Sequence, residues 1–566
     1  MTITRIQFLV IVLLHSITTI LGRYNDPNCG WADQPFRAVG DWAIDAGSAS
    51  NWDPAESKGL MHDTNVQSCE YAVDIYGLQP NKVYNWKVTV GNSWDVAWGC
   101  VGRDGPSCQF STSTGAIRLK IVGSFAYPLT TEIINGPNTP TPSASTTKSP
   151  SFNMDKKVFA HYMVGFAYPS DQNFFDGQIK KAKAAGIDGF AMNVGIDDWQ
   201  PDRIGKALAA AQNNGDFAIF ISFDMASLTF DFGVLSRFHF AASHPNYFRV
   251  NGRPVYSTFA GENRDDFWVQ WKSAAGFNPY FCPSWPNYPT ANLLQQHPVA
   301  DCIFTWNAWP PGNSGPGAKF DTTGDQNLLA SARATNKQYM APLAPWFYSH
   351  VWGSGWSKNW IYGSETLLPE RWQQIIALQP DFVEIITWND YSESSYMCTI
   401  SSDLPIDMSG INNMINVPVP MKHDAWLQMS QHYIQWYKNN ARPAVTNDQF
   451  YWWYRTHPKN NVAGDPPNFR NDAQDCVAVH TIVKSTTPLG GQYQMVVDLN
   501  GSKTTYPITQ LDQTACIPFP SNPGYVTLSL IGPDGKVWWA EGNNAPQSNS
   551  GDNFNAYSNS HSFPSP

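Results

Sequence analysis

Residues 158–195 read VFAHYMVGFAYPSDQNFFDGQIKKAKAAGIDGFAMNVG. Two short apolar runs, VFAHYMV and GFAMNVG, lie on either side of the amphipathic segment FFDGQIKKAKAAG. Short apolar runs are typical of buried strands, and apolar residues at helical spacing are typical of a helix that covers a sheet. The stretch therefore predicts one strand–helix–strand unit.

The same alternation runs from residue 156 to 440 and predicts eight strands with helices between them. The strands are VFAHYMV (158), GFAMNVG (189), FAIFISFDM (217), PVYSTFAG (254), PYFCPSW (279), DCIFTWNAW (301), QYMAPLAPWF (338) and FVEIITWND (382). The helices are FFDGQIKKAKAAG, DRIGKALAAAQNN, RDDFWVQWKSAAG, TGDQNLLASARATN, LLPERWQQIIAL and DAWLQMSQHYIQWYKNN. Eight units in about 280 residues match an α/β fold of the (β/α)8 TIM barrel type. A doubly wound open sheet is disfavoured, because no G-x-G-x-x-G turn follows the first strand.

The segments on either side of the barrel differ from it in composition. Residues 1–22 combine an early Arg with an apolar run and predict a signal peptide. Residues 23–134 alternate in short stretches and predict a small β-domain, and the Pro, Ser and Thr of 135–155 predict a linker. Residues 441–545 alternate again between turn dipeptides and predict a β-sandwich. The polar residues 546–566 predict a disordered tail.

Composition limits the partners that the chain can have. A formal net charge of −10 argues against nucleic-acid binding, because nothing would neutralise a run of phosphates. Aromatic residues make up 14% of the chain, which has 24 Trp. Flat aromatic rings stack on the apolar faces of sugars, so we expect a polysaccharide partner. An aromatic-rich core is the alternative explanation for the same composition.

The leader also bears on location. No later stretch approaches the roughly 18 consecutive apolar residues of a membrane span, so we expect a secreted protein, extracellular or in the cell wall. We expect a monomer. We also expect neither a cofactor nor a metal, because no CxxC, HxH or HExxH spacing occurs in the sequence. The nine cysteines would then face an oxidising compartment. Proximity within the predicted domains suggests four pairs and leaves Cys398 unpaired: Cys29–Cys69, Cys100–Cys108, Cys282–Cys302 and Cys476–Cys516.

Working side chains of a TIM barrel lie at the carboxyl ends of its strands. Polar and aromatic residues gather at these predicted ends, and seven of them are candidates for lining a substrate site: His161, Asn193, Trp306, Trp346, Trp388, Asn389 and Tyr391. His161 could equally be a histidine whose hydrogen bonds are satisfied in the core. Glu384, inside the eighth strand, either points into the barrel mouth or is paired structurally outside it, and we assign it no role.

Three carboxylates stand at the same strand ends. Asp390 and Glu393 follow the eighth strand, and Asp224 ends the third. Breaking a glycosidic bond requires an acid that protonates the leaving oxygen and a second carboxylate that activates water or attacks the sugar. Two carboxyl groups with different pKa values supply both roles, and mutual repulsion within a cluster keeps one of them protonated. The alternative for Asp390 is a turn or helix-capping role.

Five motifs in this order resemble glycoside hydrolase family 71, the fungal-type mutanases that hydrolyse α-1,3-glucan. They are VFAHYMVGFAYP (158–169), AKAAGIDGFAMNVGIDDWQPDRI (182–204), FISFDM (220–225), TWNDYSES (387–394) and YWWYRTHPK (451–459). The resemblance implies a (β/α)8 catalytic domain with a β-sandwich packed against it, endo-acting cleavage of α-1,3-glucosidic bonds and inversion at the anomeric carbon. It also implies that Asp390 and Glu393 are the acidic pair and Asp224 a third essential acid. Which member of the pair is the acid stays open.

The sequence departs from the family pattern at Ser392, where Gly would be expected. Because Ser tolerates a positive φ poorly, we expect the loop after Asp390 to differ in shape. The N-terminal β-domain resembles the starch-associated modules found beside α-glucan enzymes and is a candidate carbohydrate-binding module. Two alternatives remain: a non-catalytic glucan-binding or wall-scaffold protein, and a hydrolase of another glycan. Carboxylates at several strand ends argue against the first, since binding alone requires no protonatable acid.

Overall fold

The computed structural model of the chain contains two compact units, residues 1–146 and 147–566. In the first unit it describes residues 36–41, 43, 51–52, 62–65, 70–76, 78–90, 97–99, 102–103, 107–113, 116–122 and 130–132. In the second it describes residues 156–564, except for 286–289, 354–355, 398–410, 416–419, 463, 488–489, 522–523, 536 and 544–552. The predicted signal peptide and the predicted linker therefore lie outside the described residues.

The described part of the first unit is made of strands, which confirms the predicted β-domain. The strands are β1 (Phe36–Gly40), β2 (His62–Asn65), β3 (Glu70–Tyr76), β4 (Val83–Val90), β5 (Ala97–Gly99), β6 (Gly102–Arg103), β7 (Cys108–Ser111), β8 (Ala116–Val122) and β9 (Thr130–Glu132). One sheet has the order β1-β4-β5-β6 with β7 also paired to β4, and the other has the order β2-β3-β8-β9. Alternate residues of β4, Tyr84, Trp86 and Val88, are buried with Ile117 and Leu119 of β8. This is the period-two burial of a half-covered strand.

The second unit begins with eleven strands among its described residues. They are β10 (Lys157–Met163), β11 (Gly189–Val194), β12 (Ala218–Asp224), β13 (Arg249–Val250), β14 (Arg253–Phe259), β15 (Tyr280–Ser284), β16 (Cys302–Phe304), β17 (Gln338–Leu343), β18 (Tyr348–Gly353), β19 (Trp356–Ile361) and β20 (Phe382–Ile385). Eight of them pair in parallel in the order β12-β11-β10-β20-β17-β16-β15-β14, and a further pairing of β12 with β14 closes the sheet. The predicted (β/α)8 barrel is therefore confirmed, strand by strand.

The helices cover the barrel, and each of the six predicted helices is present. The described helices are α1 (Gln172–Ala184), α2 (Gln200–Asn213), α3 (Phe232–Ser236), α4 (Asp265–Ala274), α5 (Leu293–Gln296), α6 (Thr323–Ala334), α7 (Leu367–Leu378), α8 (Asn412–Ile415) and α9 (Asp424–Asn439). Asp171 caps α1, because its side chain accepts a hydrogen bond from the backbone N–H of Phe174 at 2.9 Å. None of the helices in the described residues is long and apolar enough to cross a membrane.

Aromatic side chains fill the barrel near the amino ends of its strands. Phe159 of β10 lies 5.0 Å from Phe220 of β12 and 4.7 Å from Phe248, measured between ring centroids.

A hairpin of β18 and β19 is inserted into the barrel. The two strands pair antiparallel, after β17 and before α7. An insertion at this place brings its residues to the carboxyl end of the barrel, where a site is expected.

A β-sandwich follows the barrel, as predicted. Its strands are β21 (Asn447–Arg455), β22 (Cys476–Ile482), β23 (Gln494–Leu499), β24 (Ser502–Pro507), β25 (Asp512–Pro518), β26 (Val526–Ile531), β27 (Val537–Asn543) and β28 (Ala556–Pro564). The sheets have the orders β25-β22-β21-β28 and β24-β23-β26-β27. Phe450 and Trp452 face the second sheet, whereas Tyr451 and Trp453 join the core of the barrel. The aromatic run of β21, residues 450–454, is buried because the strand is covered on both sides.

The prediction of a disordered tail at 546–566 is wrong for its described end. Residues 556–564 form β28, which pairs antiparallel with the whole of β21. The polar side chains before it have buried partners: Asn555 Nδ2 donates to the Tyr396 hydroxyl and to the Met414 carbonyl, both at 3.0 Å. The prediction failed because these polar groups have hydrogen-bond partners away from water, so their polarity does not require disorder.

Two of the four predicted disulfides are confirmed. Cys282 of β15 is bonded to Cys302 of β16, with Cα atoms 4.4 Å apart, and Cys476 is bonded to Cys516 across β22 and β25. Cys108 is also disulfide-bonded. The other cysteines of the prediction, Cys29, Cys69, Cys100 and Cys398, lie outside the described residues.

Candidate active site

The turn after β20 is held by its own polar groups. The backbone N–H of Asp390 donates to Thr387 Oγ1 at 2.7 Å, and the N–H of Thr387 donates to the Ser395 carbonyl at 3.0 Å. Residues Tyr391–Glu393 form one 3-10 turn, which ends at Ser394 with a φ of 55°. The buried strand therefore continues into a tight turn that presents two acids three residues apart.

Asp390 is both a turn residue and a strong candidate for acid chemistry. Its Oδ1 accepts hydrogen bonds from Ser392 Oγ at 2.7 Å and from the Glu393 N–H at 3.0 Å, so the capping alternative is also correct. Only 5% of Asp390 is exposed. Burial first, and the neighbouring Glu393 carboxylate second, raise the pKa of Asp390 from 3.8 to about 7. A carboxyl with such a pKa can hold a proton near neutrality and donate it.

Glu393 forms an ion pair that sequence reasoning missed. Its Oε1 accepts a hydrogen bond from Nζ of Lys358, which lies on β19. Burial alone would lower the pKa of Lys358, but the charges of Glu393, Asp390 and Asp224 outweigh burial and raise it. Lys358 therefore brings all three predicted acids into one electrostatic group. Its sequence segment, YSHVWGSGWSKNWIYG (348–363), contains no motif that would have identified the lysine beforehand.

Asp224 contributes from the other side of the barrel mouth. It is the last residue of β12, where it pairs with Phe259 at the end of β14. Its Oδ1 accepts a hydrogen bond from the Ala226 N–H at 3.1 Å, and the residue is partly exposed. One carboxylate oxygen thus shapes the local turn, and the charge of the group acts on Lys358.

His161 is buried, but its hydrogen bonds are not all satisfied as the alternative to a subsite role proposed, because Nε2 has no partner among the described residues. Its Nδ1 lies 2.6 Å from Glu384 Oε1, and neither side chain has more than 1% exposed. The imidazole lies beneath Trp306, with ring centroids 4.7 Å apart. Glu384 is therefore neither free in the barrel mouth nor paired outside the barrel. The pair supports the floor below Trp306.

The other subsite candidates separate by exposure. Trp306 is partly exposed and rests on His161 and on Phe259, whose centroid is 5.0 Å away. Trp346 and Trp388 are 0% exposed, so neither ring can contact a sugar in this conformation. Trp346 donates to the Phe554 carbonyl at 3.1 Å, and Trp388 donates to Gln178 Oε1 at 2.9 Å. These two rings are core residues rather than subsite walls.

Asn389, Tyr391 and Asn193 are also buried. Asn389 Oδ1 accepts from the Met163 N–H at 2.7 Å, which ties the turn to the end of β10. Tyr391 is 1% exposed and packs against Phe166, with centroids 5.6 Å apart. Asn193 is 6% exposed at the end of β11. The first two residues position the acid turn, and a sugar-binding role for Asn193 and Trp306 stays a prediction.

Ser392 does not have the positive φ on which the expected change of loop shape depended. The residue of the turn that has it is Ser394. Ser392 instead supplies a hydroxyl to Asp390, and its carbonyl accepts from Ser349 Oγ of β18 at 2.8 Å. A Gly at this position could not make the first of these bonds. In the part of the chain that the structure describes, no group of three or more His, Cys, Asp or Glu side chains could hold a metal ion.

A comparison with protein families matches residues 154–565, the barrel together with the sandwich, to Glycosyl hydrolase family 71. The chain belongs to this family. As a family 71 member it is a glycoside hydrolase, and the resemblance proposed from five motifs is confirmed.

Relatives of known activity agree with this assignment. The glucan endo-1,3-alpha-glucosidase agn1 of Schizosaccharomyces pombe is 38% identical over 328 residues, which cover 55% of this chain and 73% of the relative. The ascus wall endo-1,3-alpha-glucanase of the same organism is 32% identical over 375 residues, covering 62% and 82%. A mutanase of Penicillium rubens is 34% identical over 343 residues, covering 58% and 73%.

Proposed function

We propose that this family 71 hydrolase cleaves α-1,3-glucosidic bonds within chains of α-1,3-glucan, outside the cell, with inversion at the anomeric carbon. The names of its three relatives support the substrate. One observation carries the proposed chemistry: a buried carboxyl with a pKa of about 7 stands three residues from a carboxylate that is paired with a lysine.

This difference between the two acids suggests a division of labour. Asp390 is the general acid, which donates its proton to the glycosidic oxygen as the bond from that oxygen to the anomeric carbon breaks. Glu393 is the general base, which takes a proton from the water that attacks the anomeric carbon from the opposite face. Each turnover consumes one water and leaves Asp390 ionised and Glu393 protonated, so the proton returns to Asp390 through solvent before the next turnover.

Asp224 and Trp306 complete the proposed site. The negative charge of Asp224 would stabilise the positive charge that develops on the sugar ring in the transition state. The partly exposed indole of Trp306 would stack on the apolar face of a glucose unit. Asp224 would act on the charge of the sugar ring and Trp306 would bind a glucose unit, so we assign both to the proposed site.

The test is incubation of the protein with insoluble α-1,3-glucan, with β-1,3-glucan, starch and dextran as parallel substrates. We expect release of reducing sugar from α-1,3-glucan alone, with oligosaccharides as early products because the cleavage is internal. Release only from another glucan would overturn the proposed substrate. Proton NMR of the first product should show the β anomer, and an α anomer would overturn inversion.

The division of labour has its own test. Asp390→Asn should retain more activity on an α-1,3-oligosaccharide with a fluoride leaving group than on glucan, because fluoride needs little protonation. Glu393→Gln should be defective on both substrates, and azide should restore cleavage of the fluoride. The reversed pattern would exchange the two roles.

The proposed location is tested on protein from the culture medium of the producing cells. We expect the mature chain there, starting after the leader at residues 1–22. Its retention inside cells at full length would overturn this part of the proposal.

A further inference from the structure

Lys358 reaches the acid pair from a hairpin that is anchored on two sides. On β18, Ser349 Oγ donates to the carbonyl of Ser392 at 2.8 Å. On β19, the carbonyl of Asn359 accepts from the Asn468 N–H at 2.9 Å, and the Ile361 N–H donates to the Asn468 carbonyl at 3.1 Å. Lys358 lies between these anchors, opposite Val351 in the hairpin register. The backbone that carries the ammonium is therefore fixed relative to the turn that carries the acids.

Lys358 is one cation among three acidic side chains. It forms a hydrogen bond with Glu393 and is influenced by Asp390 and Asp224. Burial and the charge of Glu393 raise the pKa of Asp390, so the two carboxyl groups do not both ionise without cost and the pair tends to retain one proton. A cation in contact with only one of the two carboxyl groups favours the proton on the other one.

We propose that Lys358 is a positioning residue that assigns the proton of the acid pair to Asp390, by holding Glu393 as a carboxylate. This inference rests on the proposed acid and base roles and explains how neighbouring groups of the same kind come to differ. The lysine does not touch the substrate in this scheme; it contacts the base, Glu393, and acts through it. Nothing about Lys358 follows from the motifs that identify the family, since it lies in the insertion between β17 and α7.

The titratable groups that face this cluster come from the turn after β20, from β12 and from β19 with the residue that follows it. The turn after β20 contributes Asp390 and Glu393, β12 contributes Asp224, and β19 contributes Lys358 itself. Tyr362, which directly follows β19, is the fourth neighbour: burial raises its pKa, the charge of Glu393 raises it further, and Lys358 opposes the rise. On β18, His350 faces away toward Asp465, with 3.4 Å between Nε2 and Oδ2.

The charge of Lys358 has a defined effect on the pH profile. Its loss makes the ionised form less favourable for both acids of the pair. The acidic limb, where the base must lose its proton, and the basic limb, where the acid loses its proton, should both move to higher pH. The fraction of molecules with the proton on the correct residue also falls, because nothing then distinguishes the two carboxyl groups.

The experiment compares Lys358→Met with Lys358→Arg in the full chain, across the pH range. For Lys358→Met we expect kcat to fall about 10- to 100-fold, the size of loss found when a side chain that orients a metal ligand through a hydrogen bond is removed. Both limbs should move up by about one pH unit. Lys358→Arg keeps the charge and should keep the wild-type limbs. A Lys358→Met profile that superimposes on that of the wild type would overturn the inference.

A matched control and a double variant separate positioning from structure. Lys319 pairs with Glu370 on the surface and has 66% of its side chain exposed, so Lys319→Met should change neither limb. Glu393→Gln combined with Lys358→Met should be no slower than Glu393→Gln alone, because the lysine acts through the glutamate. An additive further loss would contradict this. If Lys358→Met does not fold, Lys358→Gln replaces it in every comparison.

Infrared difference spectra of the carboxyl groups test the inference without any substrate. The C=O stretch of the protonated carboxyl in the wild type should disappear in Asp390→Asn and persist in Glu393→Gln. In Lys358→Met it should be reduced by either substitution. A wild type that releases no sugar from α-1,3-glucan would refute the proposed substrate alone. A wild-type band that disappears in Glu393→Gln instead would refute the inference together with the proposed division of labour, and would leave the proposed substrate standing.

Discussion

Two acid–base pairs on the same barrel show opposite ways of using buried charge. Asp325 of α6 and Arg371 of α7 are joined by two hydrogen bonds of 2.7 and 2.8 Å, and their side chains are at most 2% exposed. Arg371 Nε also donates to the Pro342 carbonyl at 3.0 Å. At the barrel mouth, Lys358 meets Glu393 with 35% of the lysine side chain exposed and two more acids nearby.

The difference lies in whether the charges balance. In the first pair one cation and one anion satisfy each other in a fixed bidentate geometry. In the second group one cation faces three acids, and burial together with the Glu393 charge raises the pKa of Asp390. Charge is matched in the barrel wall, whereas acid is in excess at the barrel mouth. Each of the following predictions tests one side of this comparison.

The largest effect is expected for Asp390→Asn. Activity on α-1,3-glucan should fall about 10²- to 10⁴-fold, the usual contribution of general acid catalysis. The same substitution should reduce the loss of stability that the wild type shows as pH rises. Because the folded pKa of Asp390 is raised from 3.8 to about 7, the folded wild type binds more protons than the unfolded chain in this window and loses stability as pH rises through it.

The variant Asp390→Asn lacks this titration. Thermal unfolding at pH 4 and pH 8 should therefore show a smaller decrease for the variant than for the wild type. An equal decrease in both proteins would mean that Asp390 is not a buried, reluctantly ionised carboxyl.

Asp325→Asn should do the reverse. It leaves the Arg371 charge buried without its partner, which costs about 3–5 kcal/mol of unfolding free energy. The kcat of the protein that remains folded should be that of the wild type, because the pair lies in the barrel wall. Urea unfolding and active-site-normalised kinetics measure the two quantities. Glu370→Gln, which breaks the exposed pair with Lys319, is the control and should cost about 1 kcal/mol or less.

The two tryptophans that the sequence treated alike should respond differently. Trp306→Ala removes a partly exposed ring above His161 and should raise KM for α-1,3-oligosaccharides by up to about 10-fold, since ring contacts contribute about 0.5–1.5 kcal/mol. Trp346→Phe removes one buried hydrogen bond, to the Phe554 carbonyl, and should lower stability by about 1 kcal/mol with KM unchanged. A raised KM in Trp346→Phe alone would restore its subsite role.

The smallest effect is expected for Ser392→Ala. The serine hydroxyl donates to Asp390 Oδ1 at 2.7 Å and favours the ionised form, which lowers the pKa of Asp390. Its removal should move the basic limb of the activity profile upward by less than about one pH unit. The direction distinguishes this variant from Lys358→Arg, for which no movement is expected, and a downward movement would contradict the role given to the hydroxyl.

Much of this molecule follows from short-range pattern. The strands around Phe190, Phe220 and Phe281 were predicted within a few residues because apolar runs and helical spacing persist over each element. Asp224, Asp390 and Glu393 were chosen as candidate site residues because a barrel places its working residues where strands end. Glu384 was noticed as an unexpected charge inside a strand, but its partner His161 could not be inferred, since it is 223 residues away.

The failures share one cause. Trp346 and Trp388 stand at strand ends like Trp306, yet the C-terminal segment at Phe554 and the helix residue Gln178 cover them. The tail was predicted to be disordered from its polar composition, yet its backbone completes the sheet beside β21. In each case a segment distant in sequence supplies the burial, and neither periodicity nor composition contains that information.

The sequence by itself determined the order of strands and helices, the family and the positions of the three acids. These follow from side-chain periodicity along the chain and from residue types at the ends of strands. Only the tertiary structure decided which tryptophan is partly exposed, that both acids of the pair are buried, and which of them meets Lys358, 35 residues before it in the chain. Protonation depends on burial and on charges brought together through space, so the difference between Asp390 and Glu393 exists only once the barrel has closed and the hairpin has packed against it.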